Sequence, residues 1–497
     1  MREYILVFDQ STTSTSAFAF SLDGEVIASH GCAFPQYFPN NGWVEHDGEE
    51  IWQTALDACR GLLSMPALVD GRCLAVGVTN QRETSIIWDR ATGKPISKAI
   101  VWQDRRTADV CEMLKAAGHE AMVQAKTGLL LDPYFSATKI AWMLDNVVGA
   151  RARAERGELA FGTMESFLIW RLTGGAHFSD ATNASRTSLL NIHTGQWDDD
   201  LLSLFNVPKT ILPEVVDNAF DFGRVDKKLF GVDARICGAI GDQQAASFGQ
   251  KCTQFGDMKS TYGTGCFALV NTGDKVIVSE NKLLSTIAYR LGGTKTYALE
   301  GSIFMAGAIV QWMRDNMLLF KNAHDSETLA SEANPDSQVI MVPAFTGLGA
   351  PYWDVDARGT LLGMTRDTGV AEIVRAGLES VSLQTSDLVQ AINADMHFEM
   401  TRLRIDGGMA ANNWLAQNLS DLTGLQIERG QVLETTALGA AYMAMLGAGI
   451  ISDVGALDAV GGQVDVFGPL MEKPERLEKQ KKWSLAVQKV CELSAIA

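Results

Sequence analysis

The sequence predicts an α/β protein of two lobes, on three observations. A length of 497 residues exceeds what one ordinary core organises, so at least two domains are expected. Strand-like apolar runs such as residues 75–78 and 403–405 alternate with helical stretches such as residues 370–392. A grammar of short strands around a polar turn opens the chain and returns past its middle.

The opening reads strand, polar turn, strand, turn, strand. Residues 5–8 lead into Asp9-Gln10-Ser11-Thr12-Thr13-Ser14, then residues 17–20, Asp23-Gly24 and residues 26–29. Asp-Gly between alternating apolar runs is a strong hairpin signal. Past the middle, Ser260-Thr261-Tyr262-Gly263-Thr264-Gly265 precedes the apolar run 266–270. The letters are too unlike to establish a duplication by themselves. A first lobe is expected over residues 1–249 and a second over 250–497, divided where Gly249-Gln250 ends a helical stretch and new strands begin.

Hydrophobic residues make up 46% and charged ones 20%, an ordinary globular balance. The net charge of -17 argues against a nucleic-acid partner, whose affinity comes largely from Lys and Arg displacing counterions. A single triphosphate needs only a local cradle of N–H groups, a metal ion and one or two cations, so acidity does not exclude a nucleotide. The start of the chain moves straight into a short strand and lacks the features of a secretory leader. The longest small-apolar run, residues 437–451, is shorter than the roughly 20 residues a membrane span needs and reads as a buried helix, so no stable membrane insertion is expected. Eight cysteines without a CxxC pair or a Cys/His ligand spacing suggest neither zinc nor a disulfide framework, and a cytoplasmic setting fits best.

Five segments carry candidate chemistry. Asp9 at a strand end, followed by Thr12, Thr13 and Ser14 in a turn, suits phosphate oxygens and a water-bridged Mg2+, although solvated polar turns are common. Gly263-Thr264-Gly265 would let N–H groups approach an anion, or simply make a tight turn. Asp406-Gly407-Gly408, between an apolar strand and a helical stretch, is a context for a nucleotide or for close helix packing. In Asn80-Gln81-Arg82-Glu83-Thr84, Arg and Glu can together bind vicinal hydroxyls, or form a surface ion pair. Asp242 in Gly241-Asp242-Gln243-Gln244 stands at a helix start, as an N-cap or as a general base. The seven histidines show no ligand spacing, and His46 reads as structural.

In this order and company the segments resemble the FGGY family of carbohydrate kinases, from about residue 3 to about residue 450. Residues 9–13 look like its phosphate hairpin, residues 263–265 like its second, and residues 364–368 with 375–380 like its signature. Further strings, residues 80–84, 101–107, 131–139, 182–187 and 241–246, resemble its glycerol-phosphorylating members. The resemblance implies a two-lobed actin-like ATPase fold of the ribonuclease H-like type, closing over a cleft. It implies phosphoryl transfer from ATP with Mg2+ to glycerol, a small-molecule polyol, in a homodimer or homotetramer. By the same resemblance Arg82, Glu83, Trp102, Tyr134, Asp242, Gln243 and Phe267 surround glycerol, with Asp242 as the base. Thr12, Thr13, Ser14, Thr264, Gly307, Gln311, Gly408 and Asn412 line the nucleotide, and Asp9 serves the metal. Other polyols or ketoses, such as erythritol or xylulose, and a non-catalytic nucleotide switch are the alternatives. Ser11 and Ser16 depart from the family's usual Gly and Arg, which removes a cation from the first hairpin. Residues 222–238 show neither a glycine-rich basic loop for fructose bisphosphate nor a regulatory His, so control by those routes is expected to be weak or absent.

Overall fold

The apolar run in the first strand is buried on both faces, which makes it the centre of a sheet rather than an edge. In the computed structural model, which describes residues 2–354, 356–432, 434–460 and 462–494, that strand is β1 (Glu3–Gln10). It pairs antiparallel with β2 (Ser14–Phe20), which pairs antiparallel with β3 (Val26–Ala33) around the Asp23-Gly24 turn. Later come β4 (Arg72–Asn80), β5 (Ala219–Arg224) and β6 (Arg235–Gly241), giving the order β5-β6-β4-β1-β2-β3. Strands β1, β4 and β6 are parallel neighbours, and β5 is an antiparallel edge.

The second half builds a seven-stranded sheet. Its strands are β7 (Met258–Tyr262), β8 (Cys266–Gly273), β9 (Leu284–Leu291), β10 (Thr294–Ile303), β11 (Arg402–Asp406), β12 (Gln426–Gly430) and β13 (Val464–Phe467), in the order β9-β10-β8-β7-β11-β12-β13. Here β7 pairs antiparallel with β8 and β8 with β10, while β7, β11 and β12 run parallel and β13 is antiparallel. Sense by sense this repeats β1, β2, β3, β4, β6 and β5. The duplication that the letters leave open is thus plain in the topology, and two such sheets are the actin-like architecture.

Helices cover the sheets. In α1 (Gly48–Leu63) Asp47 caps the first turn, and Ile51, Trp52, Ala55, Leu56, Cys59 and Leu62 recur at helical spacing on the buried face. Next come α2 (Ser136–Asn146), the short α3 (Ala181–Ala184) and α4 (Asp242–Gly249), which starts where β6 ends. In the second half follow α5 (Gly307–Asp315), α6 (Val370–Met396), α7 (Asn413–Thr423) and α8 (Thr435–Gly447). No helix among the described residues is long and apolar enough to cross a membrane.

Helix α8 contains most of the run read as a buried helix, and it is buried almost throughout. It belongs to the second half of the chain yet packs on β1, β4 and β6 of the first sheet and against α4. Glycines permit the approach: a Cβ at Gly77 would lie 2.5 Å from the Ala440 carbonyl oxygen, and one at Gly238 would lie 2.5 Å from the Ala444 nitrogen. A Cβ at Gly439 would overlap the backbone carbonyl of Ala245 in α4. Backbone cannot step aside as a side chain can. Gly439→Val is therefore expected to destabilise the fold by at least about 1–3 kcal/mol, read as a lowered melting temperature.

Candidate active site

The parallel strands deliver their C-terminal ends to one region, the usual ligand position in such sheets. Asp9 lies near the end of β1, Asn80 at the end of β4, Gly241 at the end of β6 and Asp406 at the end of β11. First-half and second-half residues touch there, as the distances below show.

Arg82 is buried at the centre. Its Nε lies 3.1 Å from Oδ1 of Asp242, its Nη1 donates to Glu300 at 2.5 Å and to Gln244 at 3.2 Å, and its Nη2 donates to the Tyr134 hydroxyl at 3.4 Å. Glu83 follows with a left-handed backbone at φ 59°, held by hydroxyls of Ser85 and Ser136 on its carbonyl, each at 3.0 Å. A non-glycine residue in that region is strained, and such strain concentrates at functional sites. Glu83 accepts from Arg186 Nε at 2.6 Å, and Arg186 Nη2 donates to the other oxygen of Glu300 at 2.7 Å. The surface ion pair considered for residues 82 and 83 does not exist: both side chains are buried, and their mutual approach of 4.0 Å is the weakest in the cluster.

Two arginines and two glutamates thus make a buried cluster in which Glu300, on β10, braces side chains from the first half. Arg186 and Arg82 outweigh the burial that would raise the Glu300 carboxyl and hold it below the usual range. Burial pushes Glu83 up despite its arginine neighbours. One nitrogen of Arg186, Nη1, is buried without a hydrogen-bond partner, and its guanidinium centre lies 5.6 Å from the Tyr134 ring and 5.3 Å from that of Phe135. Those ring faces offer it electrostatic compensation.

Asp242 is the first residue of α4, but Gly241 occupies the cap position, so the capping role considered from sequence falls away. Its Oδ1 accepts from the Gln243 N–H at 2.6 Å, and its side chain keeps 30% exposure beside the buried Arg82. The start of the helix is held from below: Thr182 in α3 accepts from the Gly241 N–H at 2.9 Å. Burial raises the Asp242 pKa above the ordinary aspartate value, and Arg82 opposes the rise. A base works deprotonated, so activity should fall as pH drops through a limb lying above that ordinary value. A kcat/KM profile against pH checks this, and a limb below it would contradict the environment described.

Beside these charges stands an aromatic wall. Trp102 meets Tyr134 with ring centroids 5.7 Å apart and Phe267, on β8, at 6.3 Å, both in edge contact. Buried Lys139 fixes the loop bearing Tyr134, donating to the carbonyls of Pro133 at 3.1 Å and Tyr134 at 2.5 Å. The indole N–H of Trp102 donates to Thr12 in the first hairpin at 3.1 Å, which ties the wall to that turn. Gln243, next along from Asp242, accepts from Lys259 of β7 at 2.6 Å.

On the far side, the turn bearing Thr264 lies against the start of α5. The Gly307 N–H donates to the Gly263 carbonyl at 2.8 Å, and a Cβ at Gly307 would come within 2.5 Å of that oxygen. Gly407 needs its positive φ of 87° to pass Tyr262, while space opens over Gly408. Asn412 caps α7 through its Oδ1, at 2.9 Å from the Leu415 N–H, which leaves its Nδ2 to donate elsewhere. Gln311 is exposed on α5, Thr13 is exposed in the first turn, and Thr12 and Ser14 are partly exposed.

Asp9 is raised to about 7 by burial and by the nearby carboxylates of Asp242 and Glu434. A cation bound nearby would oppose both effects. Among the described residues no three His, Cys, Asp or Glu side chains could cage a metal. An ion that keeps its waters and takes few protein ligands, as Mg2+ does, is compatible with Asp9 and the carboxylates near it.

Sequence reasoning missed Glu300 and Lys259 and gave Arg186 no part. A signal was there for two of them: Glu300 follows the apolar run 297–299 inside its strand, and Arg186 ends a buried, hydroxyl-rich segment, whereas Lys259 lies in the mixed strand Met-Lys-Ser-Thr-Tyr, where nothing marks it.

The model of the FGGY family of carbohydrate kinases, N-terminal domain, matches residues 4–249, and that of the C-terminal domain matches residues 258–448. The chain is 55% identical over 491 residues to a glycerol kinase of Ectopseudomonas mendocina (strain ymp), covering 99% of both chains. It is 55% identical, with the same coverage, to glycerol kinase 1 of Pseudomonas aeruginosa. Among solved structures, Plasmodium falciparum glycerol kinase with ADP superposes with a TM-score of 0.93 at 36% identity, covering 98% of each chain. Gluconate kinase from Lactobacillus acidophilus, at 22% identity and a TM-score of 0.88 over 100% of this chain and 99% of that one, shares the fold. Matched by both family domains and more than half identical to full-length relatives, the chain belongs to the FGGY family of carbohydrate kinases.

Proposed function

We propose that the protein transfers the terminal phosphoryl group of ATP to a terminal hydroxyl of glycerol, giving sn-glycerol 3-phosphate and ADP. The observation that carries this reading is Asp242: a raised, partly exposed carboxylate, fixed by Arg82 and its own helix, beside an aromatic wall. A three-carbon triol needs exactly such mixed company, polar partners for its hydroxyls and rings for its carbon edge. Full-length relatives named glycerol kinase at 55% identity support the choice of acceptor, and the ADP in the Plasmodium falciparum relative supports the nucleotide.

In the mechanism, Arg82 and Glu83 orient the acceptor by donating to and accepting from its hydroxyls, and Trp102, Tyr134 and Phe267 exclude water from its carbon edge. Asp242 takes the proton of the attacking hydroxyl as the new P–O bond forms and the bond to the leaving ADP breaks in line. Thr12, Thr13, Ser14 and Thr264 supply hydroxyls and N–H groups to the nucleotide, and Gly307, whose own N–H is held by the Gly263 carbonyl, gives it a wall without a side chain, with Gln311, Gly408 and Asn412 at its other end. Asp9 would hold Mg2+ through water, and the ion would neutralise charge on the phosphates during transfer. Closing the two halves keeps water from attacking ATP. A homodimer or homotetramer and a cytoplasmic setting belong to the same reading.

A coupled ADP-release assay across glycerol, erythritol and xylulose tests the acceptor. Glycerol is expected to give the highest kcat/KM, because a site built around hydroxyl partners discriminates strongly among their arrangements. A higher value for erythritol or xylulose would reassign the substrate, and ATP binding without turnover on any acceptor would reassign the class.

A further inference from the structure

Lys259 is completely buried in β7, and an ammonium group carries three donors and no acceptor. All three are engaged: Oε1 of Gln243 at 2.6 Å, Oγ1 of Thr261 at 2.9 Å and the carbonyl of Phe267 at 3.3 Å. No proton remains for a phosphate oxygen. The cation therefore acts on the site through the groups it holds.

Because Lys259 can only donate, Gln243 must turn its oxygen toward it and its Nε2 the other way. Gln243 directly follows Asp242 at the start of α4 and is partly exposed. Among the described residues no protein group accepts from its Nε2, which is not among the buried atoms left without a partner. That NH2 group is left for a partner from outside the chain, on a partly exposed side chain next to Asp242. Burial lowers the Lys259 pKa, and the carboxylates of Asp406, Asp242 and Glu300 work to keep it charged.

We infer that Lys259 is a positioning and specificity residue: it locks the Gln243 carboxamide with its donor toward the acceptor, so the site demands an accepting hydroxyl oxygen there and rejects an ammonium group. The inference rests on the proposed reading of Gln243 as an acceptor-binding residue. A free carboxamide could flip and serve either partner; one held by an obligate donor cannot.

Steady-state kinetics on the full chain test it with Lys259→Met, Gln243→Ala and the double variant. Each single change should lower kcat/KM for glycerol by about tenfold, mainly through KM, with the KM for ATP within about twofold. The double variant should be no worse than Gln243→Ala alone, since Lys259 then has nothing to orient. Losses that multiply, to about a hundredfold in the double, would overturn the inference. The ratio of kcat/KM for glycerol over 2-aminopropane-1,3-diol should fall by about tenfold in Lys259→Met, and an unchanged ratio would equally overturn it. Should Lys259→Met fail to fold, Gln243→Glu asks the same question with Lys259 in place, because the outward NH2 becomes an accepting oxygen. It should favour the ammonium analogue, and unchanged selectivity would reject the inference. A wild-type chain inactive on every polyol would fail the proposed function first, and the inference would fall with it.

Discussion

Asp242→Asn is expected to lower kcat by at least about 10²-fold while leaving the KM for ATP within about threefold. The substitution preserves shape, and its Oδ1 can still accept from the Gln243 N–H and face Arg82. What it removes is basicity, the one property the proposed chemistry asks of this residue. It also removes a negative charge that helps raise Asp9, so the metal side should not suffer from excess protonation in the variant. Single-turnover measurement with saturating glycerol and ATP separates chemistry from binding. Near-normal turnover would take Asp242 out of the role of base.

Glu300→Gln should be costly in a different way. The carboxylate accepts one charge-assisted bond from each of two buried arginines, at 2.5 and 2.7 Å, and glutamine must turn an NH2 toward one of them. Breaking a buried ion pair from one side typically costs about 3–5 kcal/mol, because a charge is left uncompensated. A markedly lower melting temperature is the first readout. The second is a rise of at least about tenfold in the KM for glycerol, since Arg82 loses its brace. The third is the pH profile: the Glu300 charge raises Asp242, so its removal should move the acidic limb of kcat/KM to lower pH. Unchanged stability and unchanged KM together would show that the second sheet does not hold the acceptor site.

Local signals read well along this chain, and contacts between distant segments did not. The Asp23-Gly24 turn, the central strand β1 and the long helix α6 follow from alternation and period, which are properties of neighbouring residues. The docking of α8 on the first sheet does not, because it depends on glycines at 77, 238, 249 and 439 meeting in space, and each by itself is only a small residue. The duplicated sheets share order and sense while their sequences have drifted, so topology carries what letters no longer do. At the site, residues 82, 83, 242 and 243 stood out because polar groups follow apolar strands. Their partners did not: Glu300 meets Arg82 across 218 positions and Arg186 across 114, and nothing in the spacing announces either pair. A charge directly after a short apolar run inside a strand, as at Glu300, is a pattern that would have revealed that residue, while Lys259, in Met-Lys-Ser-Thr-Tyr, offers no such pattern.

The proposed transfer requires a glycerol hydroxyl within proton-transfer reach of the Asp242 carboxylate. A crystal structure with glycerol and a non-hydrolysable ATP analogue measures that separation directly. A terminal hydroxyl about 2.6–3.2 Å from an Asp242 oxygen, with the terminal phosphate on the opposite side of that hydroxyl, is the predicted result. Glycerol bound away from Asp242, or with every hydroxyl beyond hydrogen-bond distance of it, would contradict the account.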